Sequence, residues 1–567
     1  MAVLVVALVG FALLLGRIAL LQTGEAAAYR VAGQKQRTST TALPAARGAI
    51  FDRSGYELAI SIPQTTIWAD PRLILDPVDT ANRLAPVLSL TPAQTTALAQ
   101  RLGQKAEFVY VARQVDDSVA KAVEALDLHG ISTYPESKRF DPSDTLGRSI
   151  LGATDPDGKG TSGLELQYDS LLTGRPGELV REKGPDGRTI PSGQHDLVPA
   201  TPGDDLVLTL DRNLQYVTEQ MLVNQVSTVG AKGGMVMVLD TKTGDILTMA
   251  NARRDPTTGK VTTTSANLAA VDTYEPGSVA KIVTAAAALQ EGVATPQSSW
   301  MVPYQKQFSD HLFTDAEGHP TEPMTLATII AKSSNIGTMT VSQELGAQRQ
   351  ESYMRAFGFG SKTALQFPGE SAGILKPASQ WRGTERYTVA YGQGVAVTAV
   401  QLAAAMNTIA NGGRYVAPRL VAATIGRDGR QTAEPLSAPR TVISPSTDLE
   451  MNEILREVVC RGTGTRAHID GYTVAGKTGT AYKARTSGGY ADASGRKQYY
   501  ASFVGFVPAE QPRLTILVSL DEPPSSGEHY GATVAAPLFV DVAREALRRF
   551  QVPPIAGGGT CTVGEDT

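Results

Sequence analysis

The 567-residue chain is short of several things, and each shortage excludes something. Two cysteines, Cys460 and Cys561, are too few for a disulfide-dense secreted scaffold. An exported domain could join them, but Cys561 sits in a Gly-rich tail, and the sequence leaves the bond open. Six histidines are scattered without ligand spacing, so no metal is expected; His311 and His319 fall in a polar loop and read as solvated. Charged residues are only 19% and the net charge is −4, which gives no reason to expect nucleic acid. No internal repeat and no appended C-terminal module is visible, and no cofactor is implied. What remains is 42% hydrophobic, the composition of a globular protein, in a chain longer than one core usually serves. Two folded domains are expected.

The long hydrophobic run is at the start. Ala2 to Leu21 is apolar except for Arg17, and 20 residues rising about 1.5 Å each span roughly 30 Å. A cleaved signal is the rival, since Glu25-Ala-Ala-Ala28 offers small residues. The run exceeds a usual signal core and no basic region precedes it, which favours an uncleaved anchor. Arg17 would snorkel to the interface. Arg30, Lys35 and Arg37 all follow the run, so flanking charge points to the wrong side and does not orient it.

From residue 23 to 204 the signals are mixed. RGAIFDR (47–53) and SGYELAIS read as β-prone runs about a turn, and Thr91-Pro-Ala-Gln94 as a capping box with Pro at the first helical position. Residues 185–205 are Pro/Gly-rich and polar, an extended hairpin or linker. From Leu206 a strand runs into a helix, and MVMVLDTKTGDILTMAN (235–251) reads as a hairpin. Strand candidates follow at 500–507 and 514–520, and a helix at 534–550. Strands at both ends with helices between suit an α/β (α+β) sandwich, helices on both faces of a largely antiparallel sheet. The expected division is an anchor over 1–22, a mixed domain over 23–204, a second domain over 205–552 and a disordered tail from 553.

Three strings carry the chemistry: Ser278-Val-Ala-Lys281, Ser333-Ser-Asn335 and Lys477-Thr-Gly-Thr480. Each alone is weak, because Ser494–Lys497, Ser265–Asn267 and Lys242–Gly244 repeat the same patterns. Local context removes these copies. Lys242 lies on a hairpin turn and faces water, Ser494 sits in a polar Gly/Ser loop, and Ser265 precedes the nucleophile candidate. By contrast Tyr-Glu-Pro-Gly277 punctuates the start of an Ala-rich helix that Gly292 can close. That puts Ser278 and Lys281 at i and i+3 on one face of its first turn.

With the strings in this order, the chain resembles the serine acyl-transferases that include penicillin-binding proteins and serine β-lactamases. RGAIFDRSGYELA (47–59) and GTSGLELQYDSLLTGRPG (160–177) look like the pedestal (dimerisation-type) module of class B penicillin-binding proteins. YGQG (391–394) and VAGKTGTA (474–481) look like their transpeptidase domain. The compact pedestal and single anchor are most similar to the cell-division (septal) type, with the elongation type second. No cytoplasmic segment precedes the anchor, which puts cytoplasmic contacts in doubt and leaves catalysis untouched.

The resemblance implies acyl transfer from D-Ala-D-Ala stem peptides of peptidoglycan, and covalent capture of β-lactams. Ser278 would be the nucleophile, Lys281 its base, Ser333 a proton relay and Lys477 the second cation. Asn335, Thr478, Gly479 and Thr480 would contact substrate, with the amides of Ser278 and Thr480 as oxyanion hole. It further implies a plasma-membrane, single-pass protein lying mostly outside the cytoplasm. A membrane-embedded glycosyltransferase of the shape, elongation, division and sporulation family and other division proteins would be its partners. A carboxypeptidase or β-lactamase on the same scaffold would need a deacylating carboxylate, and none stands out. A non-catalytic β-lactam sensor would show a damaged Ser/Lys/Lys set or extra spans, and neither is visible.

Overall fold

The computed structural model describes every residue except 24–25, 183–189, 191–194, 486–487, 525–527, 556–557, 560 and 562–567. It divides into two compact units. Residues 49–60 and 141–170 fold with 205–567, and the remainder of the first 204 residues forms the other unit.

The first unit opens with a 22-residue helix, Ala2–Thr23, long and apolar enough to cross a membrane and with no buried side chain. Its globular part packs the helices Pro77–Leu84, Pro92–Leu102 and Asp117–Glu124 over strand pairs around Ile67 and Val111. The Thr91 capping box forms: the Thr91 hydroxyl accepts from the Gln94 amide, and the Gln94 side chain accepts from Thr91. Gly177–Glu182 pairs antiparallel with His195–Val198, a hairpin whose connecting loop lies largely outside the described residues.

The second unit is built on a six-stranded antiparallel sheet. Its order is Val261–Thr263, Ile246–Arg254, Gly233–Asp240, Leu514–Asp521, Tyr499–Val507 and Ala475–Tyr482. Central strands read GGMVMVLD and LTILVSLD because both faces are covered, so alternation gives way to a continuous apolar run. Val236, Val238, Ile516, Val518 and Phe503 meet the helices Arg212–Val229 and Ala536–Arg549 on one face. Thr515, on the other face, donates to Asn407 of the wholly buried helix Ala399–Ala410. Asp211 ties the first face together, capping Leu214 and accepting from Arg549. Lys242 is exposed on its hairpin turn, and Ser494 bonds to Asp492 in a turn.

In its described residues the tail departs from the disorder expected from 553, while 556–557, 560 and 562–567 lie outside the described residues. Cys561 is bonded to Cys460, with Cα atoms 5.3 Å apart. The Val552 carbonyl accepts from Tyr472, and the Ile555 amide donates to Gly471. The described residues after 553 are therefore fastened to the domain; composition does not reveal a cross-link to a helix end about a hundred residues earlier.

Candidate active site

Ser278 lies in a short 3-10 turn, Gly277–Ala280, that feeds the buried helix Lys281–Gln290. Ser278 sits one turn before Lys281, whose amide donates to the Ser278 carbonyl. Gly277 has φ 54°, and a Cβ there would come within 3.0 Å of Ala481. Gly479 serves the same close approach from the other side: a Cβ would meet Val279 at 2.7 Å. These contacts bring the Ser278 turn against the edge strand Ala475–Tyr482, whose outer backbone row stays unpaired by the sheet.

The Ser333–Asn335 string joins two helices, Leu326–Ala331 and Asn335–Leu345. Ser333 is forced to φ 61°, a left-handed conformation uncommon for a residue with a side chain. That bend aims its hydroxyl between two lysines, 3.3 Å from Lys281 Nζ and 2.9 Å from Lys477 Nζ.

Both lysines are fully buried. Lys281 donates to the Ser333 carbonyl and to Asn335 Oδ1 at 2.8 Å. Those two acceptors use two N–H bonds, so a neutral amine keeps its lone pair for a hydroxyl. Lys477 donates to Ser333 Oγ and to the Thr478 carbonyl at 3.1 Å. Burial, and then the charge of Lys477, hold Lys281 well below the ordinary lysine range, while Asp315 pulls the other way. Burial lowers Lys477 to about 7.

Thr478 and Thr480 alternate with Lys477 along the strand, and Lys477 Nζ reaches round to the Thr478 hydroxyl at 3.4 Å. The Thr478 hydroxyl pairs with Thr463 Oγ1 at 2.7 Å, and Thr480 Oγ1 accepts from the Gly531 amide at 3.1 Å. The three strings are thus brought together: Ser333 bridges Lys281 and Lys477, and Gly277, next to Ser278, packs on Thr480 and Ala481.

Sequence reasoning missed four contributors. Glu275 accepts from the Gly394 amide at 2.9 Å and the Tyr490 hydroxyl at 3.0 Å, tying the YGQG turn and a distant loop to the Ser278 turn. Gly392 shows what that turn does: a Cβ there would fall 2.3 Å from the Gly277 carbonyl. Tyr391 places its ring 6.0 Å from Lys281 Nζ. Asp315 is the fourth, with 5% of its side chain exposed beneath the Ser333–Asn335 turn. His319 bonds to Asp315, so reading it as solvated is corrected, whereas His311 is exposed. Only the YGQG string carried a local signal, because the others depend on contacts between distant segments.

Comparison with known proteins identifies the family. Residues 234–544 match the family model for the penicillin binding protein transpeptidase domain, and 42–208 that for the penicillin-binding protein dimerisation domain. Penicillin-binding protein PbpB of Mycolicibacterium smegmatis is 34% identical over 98% of this chain and 89% of its own. Peptidoglycan D,D-transpeptidase FtsI of Escherichia coli K12 is 31% identical over 97% and 91%. Among solved structures, a peptidoglycan synthetase from Bifidobacterium adolescentis superposes with a TM-score of 0.73 at 29% identity, covering 92% of this chain and 98% of that one. Penicillin binding protein 3 of Mycobacterium tuberculosis, complexed with aztreonam, gives 0.70 at 29% identity, covering 91% and 98%. With both domain models matched and full-length relatives above 30% identity, the chain belongs to the class B penicillin-binding proteins.

Proposed function

We propose that this protein is a peptidoglycan D,D-transpeptidase of septal wall synthesis and a covalent target of β-lactams. The observation that carries the reading is the Ser333 hydroxyl held between two buried lysines, one of them a turn along the chain from Ser278. Ser278 Oγ attacks the penultimate D-Ala carbonyl as its proton passes to Lys281. The oxyanion is met by the amides of Ser278 and Thr480. Ser333 returns a proton to the departing D-Ala amine, and Asn335 hydrogen-bonds the peptide. Lys477 with Thr478 and Thr480 holds the terminal carboxylate, and Gly479 lets the chain lie close to the strand. An amine of a neighbouring strand then takes the acyl group from Ser278.

The test is an intact-mass measurement after exposure to a penicillin, followed by peptide mapping. The expected result is one adduct on Ser278; with a stem-peptide donor and an added D-amino acid, exchange should outrun hydrolysis. An adduct elsewhere, or hydrolysis alone, rejects the reading.

The apolar helix Ala2–Thr23 fits a single-pass anchor, and the rest of the chain then lies on the outer side of the plasma membrane. With no polymerising domain visible in the sequence between anchor and transpeptidase, glycan strands come from a membrane-embedded glycosyltransferase. Gly10 and Gly16 carry no side chain, which permits close approach of a partner helix. Exchanging residues 1–22 for an unrelated spanning helix should impair division while export and penicillin labelling persist. Normal division would confine partner contacts to the pedestal.

A further inference from the structure

Asp315 does more than its exposed neighbours. It follows a hairpin, Gln305–Phe308 with His311–Thr314, and its amide donates to Tyr304 where that hairpin closes. Oδ1 accepts from the amides of Asn335 and Ile336 at 2.6 and 2.9 Å. Oδ2 accepts from the Ser334 hydroxyl at 2.6 Å, and Ser334 Oγ in turn caps Gly337. One carboxylate therefore holds three consecutive residues of the turn in which Ser333 is bent and Asn335 faces Lys281.

The fourth partner of this carboxylate is His319, whose Nε2 is 3.1 Å from Oδ2. Its Nδ1 is 2.7 Å from the Pro320 carbonyl. Both ring nitrogens face acceptors, an arrangement only the doubly protonated ring satisfies. Burial opposes that charge, but the Pro320 carbonyl and Asp315 outweigh it and raise His319 above its ordinary value. Glu322 also faces His319 while paired with Lys332 at 2.9 Å, and the Tyr304 ring meets it edge-on. Among the described residues, the titratable groups acting on or facing Lys281 are Lys477, Asp315 and Tyr391.

We propose that Asp315, balanced by His319, is a positioning residue of the acylation step: it fixes the Ser333–Asn335 turn and supplies the negative charge that opposes Lys477 at Lys281. The inference rests on Lys281 being the base of the proposed reaction. Neutralising Asp315 removes the anion that, among the described residues, offsets Lys477 at Lys281, so the neutral form of Lys281 extends to lower pH. Removing the His319 cation leaves Asp315 uncompensated and acts in the opposite sense.

The experiment measures acylation of the full chain by a fluorescent penicillin from mildly acidic to alkaline pH, for wild type, Asp315→Asn and His319→Gln. Asp315→Asn should slow acylation roughly 10- to 100-fold through misplacement of the turn. Its rise of rate with pH should move to lower pH, and that of His319→Gln to higher pH. Unmoved rises, or two rises moving the same way, overturn the proposal and leave Asp315 a structural cap. If Asp315→Asn fails to melt cooperatively, the direction for His319→Gln decides alone. Absence of any Ser278 adduct in wild type is a different failure, that of the transpeptidase reading itself.

Discussion

Replacing Ser278 by Ala should end covalent capture of penicillins and peptide exchange together, with a loss on the order of a millionfold in turnover, as for other enzymes stripped of their nucleophile. The change deletes one oxygen from a half-buried side chain at the start of a 3-10 turn. Thermal stability should therefore stay within about 0.5 kcal/mol of wild type. Gel fluorescence after labelling, run beside a melt, separates the two effects. A folded Ser278→Ala protein that still carries the label at Ser494 or elsewhere refutes the assignment.

Substitution of Lys281 tests the charge logic. Arg cannot surrender its proton in this setting, so Lys281→Arg should not be acylated at any pH. Lys281→Ala should lose roughly 10²- to 10⁴-fold, the usual share of a positioned base. In wild type, acylation should rise as pH climbs through the lowered value of Lys281, because the neutral amine is the active form. Capture of the carboxylate should weaken as pH passes about 7, where the free protein's Lys477 loses its charge. The outcome is a bell-shaped profile in kcat/KM, and one lacking its acid limb would mean that the base lies elsewhere.

Much of this site was legible because its parts are short strings with local context. Ser278 opens a helix after Pro-Gly, and Lys242, although in a KTG string, sits on a hairpin turn; both distinctions rest on neighbours within a few residues. The strands at 499–507 and 514–521 were legible from continuous apolar runs. The same rules underdetermined the rest. Nothing local says that Ser278 enters through a 3-10 turn, which depends on Gly277 packing against Ala481. Nothing local brings Asp315 to Asn335 or Glu275 to Tyr490, because each pairing is made by the tertiary fold. His319 sits in a segment polar enough for water to be the natural partner, and a carboxylate four residues away took that place instead.

The bond between Cys460 and Cys561 divides the site by covalent history. Ser278, Lys281, Ser333 and Asn335 all precede Cys460, whereas Lys477 and Thr480 lie inside the closed loop of about a hundred residues. A loop of that length restricts the unfolded chain by about 4.7 kcal/mol in the chain-entropy account. The restriction favours the second half of the site, which includes the strand of Lys477 and Thr480, and is gained only where thiols are oxidised. Assembly of the pocket is thereby linked to the chemistry of the compartment: a chain retained among reductants would keep its nucleophile arm but lack the tether that secures its second cation.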